Sequence, residues 1–390
     1  MTAVTRTRVE SLDLLKGLVI VIMALDHTRD YFHYPAFFFD PTDPLHTSIP
    51  IFLTRFITNF CAPAFSFLAG LSAFMVGKRK TLNELSGFLL KRGLWLIFVE
   101  VVLIDFGWHF DPTFNQFTFQ VIWVLGLSMI ILAALIHLPR NFLFILSCIV
   151  IFGHNLLDGV HFEGSILWSF IHERKAYPGI FGHVIIAGYP IIPWFAVMSL
   201  GYSFGTFYDK TFEPAKRKKL FNIIGIGTLL LFLLLRYINV YGNLLPWKSY
   251  GTLSQTLFSF FSVTKYPPSL CYLLVTLGPA LLFLANSENW KGKIVAFFTV
   301  FGRVPFFFYI LHIYLIHFLA LLAVQFTFGS WQKMILPLMP AKVTALRGYG
   351  FNLLIVYLVW IAVIAVLYRL CKKFDLYKLN NKDKWWLSYL

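Results

Sequence analysis

The sequence predicts an all-α, polytopic integral membrane protein with about ten transmembrane helices, on the basis of composition, apolar segment length and charge distribution. Apolar residues make up 58% of the 390 residues, and charged residues make up only 13%. The mean hydropathy is +0.72. These values are typical of polytopic membrane proteins rather than soluble ones. We therefore expect a single transmembrane domain over residues 1–390.

The apolar segments give the order of the predicted helices. A helix needs about 20 apolar residues to cross the hydrocarbon core of a bilayer. Ten segments of suitable length are predicted as spans: 15–35, 53–76, 88–109, 118–138, 141–157, 184–207, 220–241, 268–286, 302–326 and 351–371. The first segment lacks the small-residue cleavage site of a signal peptide, so we interpret it as a retained span. An even number of spans puts both termini on one side.

The distribution of Lys and Arg identifies that side. Basic clusters at 78–80, 91–92, 216–219 and 369–384 all fall on the side of the termini. The positive-inside rule identifies this side as the cytoplasm. Topology therefore explains the net charge of +15, and nucleic-acid binding is not needed to account for it. We expect a multi-pass protein of the cytoplasmic (inner) membrane, with lipid around it.

The four cysteines do not indicate a disulfide framework or a metal centre. Cys61, Cys148, Cys271 and Cys371 are scattered in or beside apolar segments without paired spacing. Disulfide scaffolds and zinc sites are recognised by cysteines and histidines at short, regular spacing. We therefore predict no metal site.

A histidine near the end of the first span is the first candidate for catalysis. His27 lies fourteen residues after Asp13. Inserting a charged side chain at membrane depth costs about 2.5 to 3.5 kcal/mol, so ionisable groups there usually serve a function. Asp30 is one helical turn further along and is predicted to accept the second ring proton of His27, which would fix its tautomer. Alternatively, His27 lies at the membrane rim beside solvated charges.

A second pair of polar residues lies in the ninth predicted span. Tyr309 and His312 are three residues apart and share a helix face. His312 lies ten residues after Gly302, as His27 does after Gly17. At 1.5 Å per residue, each histidine is about 15 Å into the membrane. Equal depth predicts that these side chains converge on one cavity, although an aromatic stripe with one histidine is also typical of helix packing.

Two sets of residues resemble the motifs of a known family. The set in the first span consists of Arg8, Asp13, Lys16 and His27. The set in the ninth span consists of Gly302, Arg303, Tyr309, Leu311 and His312. In this order they resemble the two signatures of the acyltransferase-3-type integral membrane O-acyltransferases. The segments 90–95, 189–194 and 265–270 are more similar to bacterial relatives of heparan-alpha-glucosaminide N-acetyltransferase, within the same transmembrane acyltransferase superfamily.

The resemblance implies an acyl-CoA-dependent enzyme. It would move an acyl group, typically acetyl from acetyl-CoA at the cytoplasmic face, to a hydroxyl or amine of a sugar or glycan on the far side. His27 then takes the position of the base, because a neutral imidazole can deprotonate the acceptor as it attacks the thioester. His46, in the first outer loop, is the alternative base. His312 is expected to hold the thioester or the acceptor, and Tyr309 to stabilise the developing oxyanion.

Acetyl-CoA also needs cations for its phosphates. Four basic residues at the cytoplasmic rim are predicted to bind them: Arg8, Lys16, Arg92 and Arg303. Of these, Arg92 and Arg303 are expected near the start of the third and ninth spans, where helix N-termini add N–H donors for anions. The positive-inside rule alone would also place basic residues on this side.

A proton-coupled transporter, or an export partner of a small metabolite, is the alternative class of protein. Intramembrane ionisable residues and helices broken at proline are also common in transporters. Two such residues, Glu100 and Arg236, are expected to form an ion pair, and the alternative is that Glu100 joins the site as a proton acceptor. The sequence contains no visible inverted repeat, and its other intramembrane polar groups gather in the two motifs, which favours the enzyme. A homodimer is compatible with the sequence, which does not set the oligomeric state.

Labelling of introduced cysteines tests the predicted sidedness. In intact cells, Trp168→Cys should react with an impermeant maleimide, whereas Lys218→Cys should react only after permeabilisation, because the basic loop is cytoplasmic. The unsubstituted protein gives the background. The reverse pattern would overturn both the topology and the cytoplasmic site for acetyl-CoA.

Overall fold

The computed structural model describes residues 9–336 and 344–388, most of which form α-helices. The helices are, in chain order, α1 (Glu10–Phe32), α2 (Ile49–Thr58), α3 (Cys61–Gly77), α4 (Leu82–Val99), α5 (Asp105–His109), α6 (Val121–Leu135), α7 (Arg140–Gly153), α8 (Ile166–Ile171), α9 (Trp194–Phe204), α10 (Pro214–Ile238), α11 (Leu253–Phe261), α12 (Leu270–Asn286), α13 (Lys293–Arg303), α14 (Pro305–Phe328) and α15 (Leu353–Asn380).

A small sheet accompanies the helices and corrects the all-α prediction. Its strands are β1 (Gln116–Phe119), β2 (Lys175–Ile180) and β3 (His183–Ala187). Strand β3 is central, parallel to β1 and antiparallel to β2. The apolar segment 184–207, predicted as one span, therefore divides into β3 and the eleven-residue α9. Its two prolines, Pro190 and Pro193, separate the strand from the helix.

Five helical segments in the described part of the chain are long and apolar enough to cross a membrane. They are Ile49–Gly77, Arg140–Leu157, Pro214–Ile238, Pro305–Phe328 and Leu353–Asn380. Each corresponds to a predicted span. Helices α6 and α12 are apolar but shorter, with 15 and 17 residues. The full set of ten spans and the cytoplasmic position of the termini remain predictions.

The third predicted span is a helix interrupted by one π-helical turn. Helix α4 continues into the π-turn Glu100–Ile104 and then into α5. Such turns occur frequently at functional sites. Here the turn places the fully buried Glu100 at the start of α6, where its Oε2 accepts a hydrogen bond from the backbone N–H of Trp123 at 3.0 Å. A carboxylate at a helix N-terminus is a favourable arrangement.

The predicted ion pair between Glu100 and Arg236 is wrong. The guanidinium of Arg236 donates to the carbonyl oxygens of Phe260 and Ser259, at 2.7 and 2.8 Å. These bonds hold the end of α11 against α10. Backbone carbonyl oxygens thus hold the guanidinium of Arg236, and a backbone N–H holds one oxygen of Glu100, so the two buried groups do not pair with each other.

Paired glycines bring four pairs of helices into backbone contact. A Cβ on Gly17 of α1 would overlap the carbonyl oxygen of Phe298 in α13, and a Cβ on Gly302 would overlap that of Asp13. These contacts show that α1 and α13 run antiparallel. Three further crossings, α3 with α9, α4 with α6 and α10 with α12, have the same kind of pair: Gly70 and Gly201, Gly93 and Gly126, and Gly225 and Gly278. Small residues allow this close approach in membranes.

Helix α1 lies at the centre of the bundle. It packs against α13, α14, α15 and α3, and most of its residues are buried. The chain reverses direction at Val304, between α13 and α14. As a result α14 runs parallel to α1, and the two candidate motifs lie side by side.

Gly302→Ala should destabilise the protein by about 1 to 3 kcal/mol, the usual range for overpacking, because the added methyl meets backbone rather than a flexible side chain. Gly227→Ala in α10 is the matched control, since a Cβ there meets nothing within 4 Å. The melting temperatures of the purified variants in detergent measure the difference. Equal values would contradict the close contact of α1 and α13.

Candidate active site

Two histidines meet where α1 and α14 lie side by side. Nδ1 of His27 and Nε2 of His312 are 2.7 Å apart, and their rings stack with centroids at 4.9 Å. His312 is completely buried, whereas His27 is partly exposed. Nδ1 of His312 lies 3.1 Å from the carbonyl oxygen of Phe308. The structure thus brings together the two histidines that equal depth predicted to converge. We call them the histidine pair.

The partners of the histidine pair determine where its protons lie. A carbonyl oxygen can only accept, so His312 donates from Nδ1 to Phe308 and, when neutral, presents an unprotonated Nε2. His27 must then donate from Nδ1 to that nitrogen. The remaining ring nitrogen of His27, Nε2, carries a lone pair. This tautomer is the one that a general base requires.

Asp30 does not contact the histidine pair, so the prediction that it fixes the tautomer is wrong; His312 takes that place. Oδ1 of Asp30 accepts from Arg29 at 2.8 Å. Arg29 also pairs with Asp26 at 2.9 Å, and Arg55 of α2 donates to the other oxygen of Asp26 at 2.7 Å. These four residues form an ion cluster that ties α1 to α2 beside the pair.

Two cavities lie near the histidine pair, and His27 lines the larger of them. This cavity has a volume of about 610 Å³, and its walls include α1, α2 and the loops 38–42 and 262–266. The ion cluster lines it, together with further polar side chains and apolar ones. The loop residue Tyr266 has Lys265 and Arg174 over its ring, at 5.3 and 4.6 Å. Burial alone would raise the pKa of Tyr266, but Lys265, Arg55 and Arg174 lower it to about 8.

A smaller cavity of about 250 Å³ lies towards the amino-terminal end of α1. Apolar side chains of α4 and α6 form much of its wall. Two cations, Lys16 and Arg92, also line it, and Nζ of Lys16 donates to Ser72 at 2.8 Å. The cavity is therefore suited to a narrow, mostly apolar ligand with anionic groups at one end.

The two cavities adjoin beside the histidine pair. Four residues line both of them: Met23, Phe65, Val121 and Tyr309. The ring of Tyr309 is nearly buried and lies edge-on to His27, with centroids 6.4 Å apart. Tyr309 therefore lies next to the histidine pair, as predicted from its position one helical turn before His312.

The predicted CoA-binding residues are only partly brought together. Lys16 and Arg92 lie on the smaller cavity, although Arg92 is inside α4 rather than near its start. Arg303 lines neither cavity. It ends α13 instead of beginning a span, and it pairs with Asp375 of α15 at 3.3 Å. Arg8 lies outside the described residues.

His46, the alternative base, lines neither cavity. Its side chain is half exposed, its Nδ1 lies 2.6 Å from Asp43, and its ring stacks on Phe39. It is part of a surface loop, away from the smaller cavity. Of the two candidate bases, only His27 lines one of these cavities.

Sequence reasoning missed two features of the site. Trp108 of α5 lines the larger cavity, with its ring centroid 4.7 Å from that of His27. Trp108 lies near the far end of the third predicted span, so its depth in the membrane could have indicated that it is close to His27. Arg55 lies at the amphipathic start of the second span, and nothing in the sequence relates it to Asp26.

Among residues 9–336 and 344–388, no group of three His, Cys, Asp or Glu could hold a metal.

The described residues thus form a helical membrane protein in which a histidine pair lies beside two adjoining cavities, the smaller of them mostly apolar with two cations in its wall. The family model for the catalytic region of heparan-alpha-glucosaminide N-acetyltransferase matches residues 8–238. The chain belongs to this family and is a membrane acyltransferase. A search of curated proteins finds no significant match. The matched region includes His27 and ends before α14, so His312 and Tyr309 lie outside it.

His312→Phe should slow acyl transfer about tenfold to a hundredfold without unfolding the protein. Phe fills the same space but cannot accept the hydrogen bond from His27. A hydrogen bond to a charged group contributes about 1.5 to 3 kcal/mol, which corresponds to this range of rates. His312→Gln, which retains an acceptor oxygen, should lose less. Release of free CoA from acetyl-CoA, with glucosamine as the acceptor, measures both; equal rates for the Phe variant and the wild type would contradict an orienting role.

Proposed function

We propose that the protein transfers an acetyl group from acetyl-CoA in the smaller cavity to a hydroxyl or amine of a sugar or glycan in the larger cavity. The observation that carries this proposal is the position of His27. Its Nδ1 is occupied by His312, and its ring lines the larger cavity beside Tyr309, which lines both cavities. A proton acceptor at that boundary serves a reaction between two substrates that enter from opposite sides.

The dimensions of the smaller cavity support acetyl-CoA as the donor. Lys16 and His27 are eleven residues apart on α1, which corresponds to about 16 Å along the helix axis. This length is comparable with the extended pantetheine arm of CoA. The phosphates would bind Lys16 and Arg92 at one end, the apolar wall would hold the arm, and the thioester would reach His27. The nucleotide would remain at the rim.

The larger cavity supports a polar acceptor. Its charged and hydroxyl-bearing side chains can bind the hydroxyl groups of a sugar. Its volume exceeds that of the smaller cavity, which we call the donor cavity. The likeness to O-acyltransferases in the two histidine motifs keeps a hydroxyl acceptor beside the amine that the family name indicates. The basic residues near the amino-terminal end of α1 favour a cytoplasmic donor cavity, so the acceptor would bind on the far side of the membrane.

The reaction needs one proton acceptor that later returns the proton. The acceptor oxygen or nitrogen attacks the thioester carbon while its proton moves to Nε2 of His27. As His27 becomes positively charged, its hydrogen bond to His312 strengthens. The Tyr309 hydroxyl would donate a hydrogen bond to the oxyanion of the tetrahedral intermediate. Collapse of the intermediate breaks the C–S bond, and the departing sulfur takes the proton from Nε2.

His27→Ala is the direct test of this proposal. Transfer from acetyl-CoA to glucosamine should fall by about 10² or more, because a positioned base contributes that much to the rate. His46→Ala is the control and should keep its activity. Gel filtration and the melting temperature establish that both variants fold. A purified His27→Ala protein with more than about a tenth of the wild-type rate would refute the assignment.

A further inference from the structure

We propose that the residues shared by the two cavities select the length of the acyl chain that the enzyme transfers. These residues are Met23, Phe65, Val121 and Tyr309, which we call the shared wall. The inference rests on the proposed function and adds the element that distinguishes one acyl-CoA from another. Three features support it: the required position of the thioester carbonyl carbon, the close packing of the shared wall, and the residues that line the two cavities beyond the wall.

The position of the base requires the acyl group to contact the shared wall. The reacting atoms must approach to about 3 to 3.5 Å, so the thioester carbonyl must come close to an acceptor bound at His27. Met23 lies four residues before His27, on the same face of α1 and one turn nearer the donor cavity. The first carbons beyond the carbonyl therefore lie against Met23 and against the side chains that face it.

The shared wall has little freedom to yield. Met23 and Tyr309 are only 6% and 4% exposed. Val121 is the first residue of α6, and the buried carboxylate of Glu100 holds this end of the helix through the N–H of Trp123. Protein interiors are close-packed, so a fixed wall resists an added methylene. The π-turn that presents Glu100 thus contributes to the shape of the donor site.

In the proposed complex, a longer acyl chain has little free space next to the thioester. The smaller cavity, of about 250 Å³, is occupied by the pantetheine arm in the proposed complex. The larger cavity is lined next to His27 by the ion cluster of Asp26 and Arg55, against which an apolar chain gains little. A chain that entered it would also occupy space needed by the acceptor. The shared wall therefore favours acetyl over propionyl and butyryl groups.

Val121→Ala tests the inference, and Val124→Ala is its matched control. Val124 is a buried valine on the same helix that lines neither cavity. The measurement is kcat/KM for acetyl-, propionyl- and butyryl-CoA with glucosamine as the acceptor. One methylene in an apolar pocket changes such ratios by about 10- to 200-fold. The butyryl-to-acetyl ratio should therefore rise at least about tenfold in Val121→Ala and stay at the wild-type value in Val124→Ala.

A second variant keeps the test decisive if Val121→Ala does not fold. Val121→Ile adds one methylene and should reduce propionyl transfer more than acetyl transfer. Unchanged ratios in a folded, active Val121 variant, or an equal change in Val124→Ala, would overturn the inference while leaving the proposed function intact. A folded wild-type protein that transfers no acyl group from any of the three donors would overturn the proposed function, and the inference with it.

Discussion

The backbone contact between α1 and α13 is the constraint on which the site depends. It places Gly302 beside Gly17, and the chain then reverses at Val304 so that α14 runs parallel to α1. The same number of residues follows each glycine before its histidine, so the two rings arrive at one level and form a 2.7 Å contact. No side chain larger than hydrogen fits at either glycine without moving backbone. Packing at the two glycines, ten residues before each histidine, thus sets the geometry of the histidine pair.

The proposed base, His27, is oriented by a neutral partner rather than by a carboxylate. In serine-protease triads an aspartate holds the histidine and stabilises its charged form. Here His312 performs the orienting role, and the backbone carbonyl of Phe308 in turn holds His312. A neutral chain of this kind avoids burying a second charge at membrane depth. The carboxylates that are nearby, Asp26 and Asp30, are already engaged by arginines.

Sequence reasoning identified the helical membrane class, five of the spans and the convergence of His27, Tyr309 and His312, because periodicity and depth are local properties of a helix. It assigned Asp30 to His27 because residues three apart share a face, but it could not know that a ring from α14 already occupies Nδ1. The Glu100–Arg236 pair failed for a related reason. Backbone groups at the start of α6 and the end of α11 compete for buried charges, and their positions depend on tertiary packing.

The sequence separation within the histidine pair affects how the protein is made. His27 and His312 are 285 residues apart, and the helix that completes the site is synthesised after most of the others. Domains generally begin to fold from the amino terminus during synthesis. Until α14 has inserted, His27 of α1 lies in the membrane without the ring of His312 beside it. A chain truncated before α14 would retain the whole region that matches the family, yet Nδ1 of His27 would lack the partner that fixes its tautomer.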